Sequence, residues 1–112
     1  ECGEFYTSKF LELGLLDKAD VQNQDKNWPA YKKYMMHGTS HHLGLDTHDY
    51  GILKDKFVEN MMFTVEPGIY LPAEGFGVRI EDDLVIQNSG PAFNLMKNIP
   101  IEVEEIEELM NS

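Results

Sequence analysis

The stretch HGTSHHLGLDTHD, at positions 37–49, contains all four histidines of the chain. His37 and His41 are four residues apart, a spacing that places both side chains on one side of either a strand or a helix. A helix is unfavourable because Gly38 and Gly44 interrupt the stretch. The helical zinc motif HExxH is excluded as well, since it requires Glu where this chain has Gly38. The stretch predicts an irregular segment whose histidines either bind a metal or form ordinary hydrogen bonds.

A second stretch places a carboxylate at the end of a predicted strand. Residues 57–66 (FVENMMFTVE) have the composition of a strand, and Pro67 and Gly68 end it. Proline holds the preceding residue in an extended conformation, so Glu66 should lie at the rim of the sheet. A carboxylate among apolar neighbours is costly to bury unless it is paired or binds a cation. An exposed glutamate on an edge strand is the alternative.

A third stretch, residues 77–88 (GVRIEDDLVIQN), predicts one or two strands with a bend near Asp82 and Asp83. Strand alternation places Arg79 and Glu81 on the same face. Such a pair is either a surface ion pair of little energetic value or part of a site. Across the three stretches, one histidine and two glutamates form a nitrogen and oxygen ligand set that suits Mn, Co, Fe or Zn.

The rest of the chain predicts a mixed helix and sheet fold. The apolar period of Tyr6, Phe10, Leu13 and Leu16 predicts an N-terminal helix that stops at Gly14. The remaining predictions are a polar loop over 17–30, an irregular segment over 31–56, a turn over 88–91 and a terminal helix over 102–110.

Length and charge restrict the kinds of protein that this chain can be. Its 112 residues suit one domain, and its net charge is −11, from 20 acidic and 9 basic residues. This charge argues against nucleic acid and against an anionic membrane surface as partners. No apolar run approaches the roughly 20 residues of a membrane span. Cys2 is the single cysteine, which excludes an internal disulfide and fits a cytoplasmic location.

The three stretches, in this order and spacing, closely resemble the C-terminal catalytic motifs of Xaa-Pro aminopeptidases and prolidases, which are metallopeptidases with the pita-bread fold. The resemblance implies an α+β fold with an antiparallel sheet and flanking helices. Residues 1–112 would then be a C-terminal fragment of one catalytic domain. Residues 37–49 are more similar to the aminopeptidase branch than to prolidases, which cleave only dipeptides, and they fit methionine aminopeptidase less well.

The resemblance implies a metal site. His41, Glu66 and Glu81 match the family's metal ligands, with Glu81 bridging two divalent ions. Manganese is the expected metal, and cobalt, zinc or iron are alternatives. Glu66 would also take a proton from the attacking water and pass it towards the leaving proline nitrogen.

The resemblance also implies how substrate is handled. His37 and His48 match histidines that contact substrate and assist proton transfer, and Arg79 matches an arginine that supports the site. The implied substrates are peptides with proline at the second position.

Two aspartate ligands that the family places upstream of its metal-binding histidine have no counterpart here. Asp17, Asp20 and Asp25 lie in the predicted polar loop, which is the wrong context. The three predicted ligands offer at most about five donor atoms, whereas two metal ions need about eight to ten. We therefore expect the 112-residue chain alone to bind metal weakly and to be inactive.

Two further expectations follow. Half of the family's sheet should be missing, and the apolar face and unpaired edges that remain predict self-association, as a dimer or an aggregate. The functional alternative is a pita-bread relative that has lost catalysis and binds peptides or proteins. The presence of all three predicted ligands favours an enzyme.

Overall fold

The structure, a computed structural model, describes residues 1–51 and 56–112. The helices in these ranges are α1 (Cys2–Glu12), α2 (Lys18–Gln22), a 3₁₀ helix (Ala30–Lys33) and α3 (Val103–Met110). The strands are β1 (Met62–Val65), β2 (Gly68–Leu71), β3 (Phe76–Arg79), β4 (Asp82–Val85) and β5 (Phe93–Asn94). Both sheets are antiparallel, which confirms the predicted α+β class. Among the described helices, none has the length and apolar character needed to cross a membrane.

The described chain forms two compact units. The helical unit comprises Glu1–Thr39 and Pro67–Arg79, and the sheet unit comprises Ser40–Glu66 and Ile80–Ser112. The core of the helical unit forms where one face of α1 packs on residues that follow the helix, and it is apolar and aromatic. Its buried members are Tyr6, Phe10, Leu16 and Met35.

The end of α1 confirms the predicted helix stop. Gly14 adopts a positive φ of 70°, which glycine reaches without a steric penalty. The amide of Gly14 donates to the carbonyl of Leu11, and the amide of Leu15 donates to the carbonyl of Phe10. These two bonds form a Schellman motif, which satisfies the last helical carbonyls and turns Leu16 into the core.

The predicted loop over 17–30 is partly wrong, because it contains the short helix α2. Asp17 caps this helix by accepting a hydrogen bond from the amide of Asp20, and the side chain of Asp20 accepts one from the amide of Asp17. This reciprocal capping box stabilises the first turn. Both carboxylates therefore stabilise the start of α2.

A strand that the sequence analysis missed follows Pro67 directly. β2 pairs with β3 in a hairpin in which Tyr70 lies opposite Gly77. The ring of Tyr70 covers this glycine, since a Cβ built on Gly77 would lie 2.6 Å from a ring atom of Tyr70. The proline ends β1 as expected, but the chain resumes an extended conformation at once because β3 provides a partner.

The sheet unit contains a three-stranded sheet in the order β1-β4-β5. Its predicted strand over 57–66 is shorter than expected, because a turn precedes β1. The amide of Met61 donates to the carbonyl of Val58, and Asn60 between them has a left-handed φ of 68°. The short strand β5 was not predicted.

The predicted strand region over 77–88 divides into two strands. β3 ends at Arg79 and β4 begins at Asp82, so the break lies before the predicted bend, and the two strands belong to different sheets. The strand alternation that placed Arg79 and Glu81 on one face therefore does not continue across the break. α3 confirms the predicted terminal helix.

The segment predicted to be irregular, 31–56, contains the end of the 3₁₀ helix and one isolated bridge between His42 and Phe63. Residues 52–55 of this segment lie outside the described residues. The described part is otherwise free of regular helix and strand, as predicted.

Candidate metal centre

His41 is held in place by backbone pairing with β1. The carbonyl of His41 accepts from the amide of Thr64 at 3.0 Å, and the amide of Leu43 donates to the carbonyl of Met62 at 3.1 Å. Residues 41–43 therefore run antiparallel to β1 as a short extension of the sheet. Because side chains alternate along an extended segment, His41 and His42 point to opposite sides.

The register of the sheet places two carboxylates beside each other. Val65, the last residue of β1, lies opposite Asp82, the first residue of β4. Glu66 follows β1 and Glu81 precedes β4, so antiparallel pairing brings both residues to the same end of this strand pair. The side chain of Glu66 retains 13% of its accessible surface, while Glu81 is exposed.

The structure brings His41, Glu66 and Glu81 together, with one potential ligand atom from each within 4.8 Å of the others. Imidazole nitrogen and carboxylate oxygen are donors that suit a divalent transition metal. Glu66 is mostly buried and Glu81 is open to solvent, so the cluster is accessible to an ion. The chemistry of this donor set therefore fits the metal that the motifs predict.

The hydrogen bonds of His41 define its tautomer. Its Nδ1 lies 2.9 Å from the carbonyl oxygen of His42, and since a carbonyl only accepts, Nδ1 carries the proton. The Nε2 of a neutral ring then has a free electron pair, and it lies 3.1 Å from Oε1 of Glu66. Metal-binding histidines usually donate their second ring nitrogen in this way.

The other histidines of the sheet unit differ in their surroundings. The His48 ring is exposed, and its centroid lies 4.4 Å from that of His41 at an interplanar angle of 67°. The His42 ring packs on Phe63 with the same centroid distance, 4.4 Å, on the opposite side of the segment. His48 is thus a neighbour of the candidate site, and His42 is a packing residue.

The two remaining predicted site residues lie in the helical unit. The Nε2 of His37 is 2.7 Å from the hydroxyl of Tyr70, and its Nδ1 is 2.7 Å from the carbonyl oxygen of Gly38. Arg79 is the last residue of β3 and lies opposite Gly68. The cluster of three potential ligands described above includes neither residue.

The sequence analysis missed two polar residues next to the cluster. Thr64 is 1% exposed, and its hydroxyl bonds both His41 and Glu66. Asp83 lies opposite Thr64 in the sheet, and its Oδ1 is buried without a hydrogen-bond partner in the part of the chain that the structure describes. Thr64 had a signal in the sequence, since it precedes Glu66 by two residues and so shares its face.

Comparison with known proteins identifies relatives along most of the chain. The model of metallopeptidase family M24 matches residues 9–88. The Xaa-Pro aminopeptidase of Haemophilus influenzae is 41% identical over 94% of this chain and 26% of its own length. The human Xaa-Pro aminopeptidase 3 is 34% identical over 90% of this chain and 21% of its own length.

Solved structures agree with these matches. The Pseudomonas aeruginosa aminopeptidase PepP superposes with a TM-score of 0.78 and 39% identity, over 94% of this chain and 26% of that chain. The yeast protein Icp55, solved with the inhibitor apstatin, gives a TM-score of 0.66 and 27% identity. The likeness confirms the predicted fold, part of a pita-bread domain.

The chain spans about a quarter of the length of these relatives. The family model nevertheless covers most of its residues, including the three that form the cluster. This chain therefore belongs to metallopeptidase family M24.

Proposed function

We propose that this chain provides one histidine and two glutamates to the metal centre of an Xaa-Pro aminopeptidase, as part of one catalytic domain. The observation that carries the proposal is the convergence of His41, Glu66 and Glu81 within 4.8 Å. The names of the relatives favour an aminopeptidase over the prolidase alternative. The complete donor trio favours an enzyme over a peptide-binding relative without catalysis. The single cysteine supports a cytoplasmic location.

The bound metal, which we propose to be two manganese ions, would polarise the scissile carbonyl and activate water. Nε2 of His41 and the carboxylates of Glu66 and Glu81 would hold it. Glu66 is mostly buried beside the imidazole of His41, a position from which a carboxylate can take a proton from water and release it to the departing proline nitrogen.

The remaining roles rest on the motif resemblance. His48 lies beside the ring of His41 and is exposed, so it is accessible to a bound peptide. His37 and Arg79 keep the roles of contacting substrate and supporting the site. The proposed substrates are peptides with proline at the second position.

We further propose that the 112 residues alone bind manganese weakly and do not hydrolyse Xaa-Pro peptides. The three side chains of the cluster supply at most about five donor atoms, fewer than the eight to ten or so that two ions require. Hydrolysis of an Xaa-Pro peptide by the purified chain would contradict this proposal.

The activity can be tested in a chimera. In the Haemophilus influenzae relative, the segment that aligns with this chain would be replaced by the chain itself. We expect the chimera to release the N-terminal residue of Xaa-Pro peptides and to require manganese. Glu81→Ala should lower kcat/KM by at least about a hundredfold, because a ligand is lost.

Glu105→Ala is the matched control, since Glu105 is exposed in α3. It removes an equal charge and should leave activity unchanged. A folded chimera that binds manganese and yet fails to cleave Xaa-Pro peptides would contradict the proposed function. Equal activity of the two alanine variants would contradict the assignment of Glu81.

A further inference from the structure

The hydroxyl of Thr64 connects two of the three side chains in the cluster. It accepts a hydrogen bond from the backbone amide of His41 at 3.1 Å and donates one to Oε1 of Glu66 at 3.2 Å. The direction of both bonds is fixed, because an amide only donates and a carboxylate only accepts. Thr64 is 1% exposed, so water does not compete for its single proton.

These two hydrogen bonds, together with one close contact, form a closed ring. The ring starts at the amide of His41, passes through the hydroxyl of Thr64 to Oε1 of Glu66, and returns across 3.1 Å to Nε2 of the same histidine. Both the backbone and the side chain of His41 are thereby positioned relative to one carboxylate. One hydroxyl group therefore bonds both candidate ligands.

The backbone pattern shows that this bond replaces a standard one. In a regular antiparallel ladder, the amide of His41 would donate to the carbonyl of Thr64, just as the amide of Thr64 donates to the carbonyl of His41. Here the amide donates to the side chain instead. The backbone ladder therefore ends at this position. The Thr64 hydroxyl accepts the hydrogen bond of the His41 amide in place of the Thr64 carbonyl, and it also donates to Glu66.

We propose that Thr64 is a positioning residue of the metal centre, whose hydroxyl holds His41 and Glu66 at the separation that metal binding requires. The inference rests on the proposed function, because it assumes that these two residues bind metal. Groups that orient metal ligands typically contribute about 10- to 100-fold to metal affinity. Thr64 itself would not bind the ion.

The test measures binding of Zn²⁺ to the 112-residue chain. The ¹⁵N NMR signal of Nε2 in His41 reports the binding. Zinc is diamagnetic, and it binds nitrogen and oxygen sites more tightly than manganese, which extends the measurable range. Thr64→Val keeps the shape of the side chain and removes both hydrogen bonds. We expect its dissociation constant at His41 to rise by about 10- to 100-fold.

Thr64→Ser restores the hydroxyl and should return the dissociation constant to within about threefold of the unaltered chain. The matched control is Thr7→Val, because the hydroxyl of Thr7 bonds the carbonyl of Gly3 within α1. That variant loses a hydroxyl of the helical unit and should bind Zn²⁺ as the unaltered chain does. Rescue by serine would separate positioning from a general loss of stability.

A measurement on the unaltered chain covers the case in which Thr64→Val does not fold. A buried, hydrogen-bonded hydroxyl proton exchanges slowly enough to be detected by NMR, so the signal of the Thr64 hydroxyl should be visible. It should shift when Zn²⁺ binds, because the ion draws electron density from the Glu66 carboxylate that accepts this proton. An unchanged signal in the zinc-bound state would overturn the inference.

Glu81→Ala distinguishes the two proposals. Glu81→Ala could lose Zn²⁺ binding while folded Thr64→Val binds Zn²⁺ within about threefold of the unaltered chain. That result would overturn the role of Thr64 and leave the proposed metal centre in place. If Glu81→Ala and the unaltered chain bind equally at His41, the proposed metal centre fails, and the role of Thr64 fails with it.

Discussion

Nε2 of His41 lies 3.1 Å from Oε1 of Glu66, while Nδ1 of the same ring donates to the carbonyl oxygen of His42. A neutral imidazole in this tautomer directs an electron pair at a carboxylate oxygen, which also offers only electron pairs. The contact is favourable when a cation lies between the two atoms, whether a proton or a metal ion. The arrangement is therefore suited to a metal before any ion binds.

The neighbouring histidines His41 and His42 provide a direct comparison. We expect His41→Ala to weaken Mn²⁺ binding at the cluster by at least about tenfold, since it removes a donor. His42→Ala should leave that affinity unchanged and lower the free energy of unfolding by about 1 kcal/mol, because its ring packs on Phe63. Calorimetry and urea unfolding measure the two effects, and a loss of affinity in His42→Ala would contradict the assignment.

The bond between His37 and Tyr70 predicts a second effect. Nδ1 of His37 donates to a backbone carbonyl, so Nε2 of the neutral ring accepts the proton of the Tyr70 hydroxyl. Tyr70→Phe should lower the free energy of unfolding by about 0.5–1.5 kcal/mol and move the ¹⁵N signal of Nε2. Tyr50→Phe is the control, since Tyr50 is 87% exposed. An unmoved signal in Tyr70→Phe would show that the bond is absent in solution.

The left-handed conformation of Gly14 predicts the cost of a side chain at the end of α1. A Cβ at this position would meet no atom within 4 Å, so the whole cost comes from the backbone. Gly14→Ala should lower the free energy of unfolding by about 1–2 kcal/mol. Gly14→Asn should cost less, because asparagine tolerates this conformation, and equal costs in urea unfolding would count against this explanation.

The apolar surface of α3 predicts self-association. Val103, Ile106, Leu109 and Met110 are 63%, 40%, 60% and 79% exposed, and steps of three and four residues from Val103 to Ile106 and from Ile106 to Leu109 and Met110 place them on one side of the helix. We expect the chain to sediment as a dimer or a larger species, and Leu109→Glu to shift it towards the monomer. Leu45→Glu is the control, because Leu45 is 103% exposed but is not part of the helix. A monomer at high protein concentration would contradict the prediction.

The local elements with strong chemical signals could be predicted from the sequence. Gly14 ends α1, and α3 follows its apolar period. Short elements were harder to recognise, because their stability depends on partners. β2 exists through its pairing with β3, and the five-residue helix α2 depends on the capping box of Asp17.

The candidate site likewise contains residues that the sequence predicted and one that it did not. His41, Glu66 and Glu81 were predicted because the motifs carry them. Thr64 was not. Its place two residues before Glu66 indicates a shared face, but its bond to His41 depends on a long-range pairing that the local sequence does not indicate.

The pairing of residues 41–43 with β1 also restricts how this region can change in length. A slip of one residue would exchange His41 and His42, so that the wrong ring would face Glu66 and the other would leave Phe63. An insertion between His41 and Leu43 would thus remove a candidate ligand without altering any functional residue. Two adjacent histidines that look interchangeable in the sequence therefore differ in which side of the extended segment each one faces.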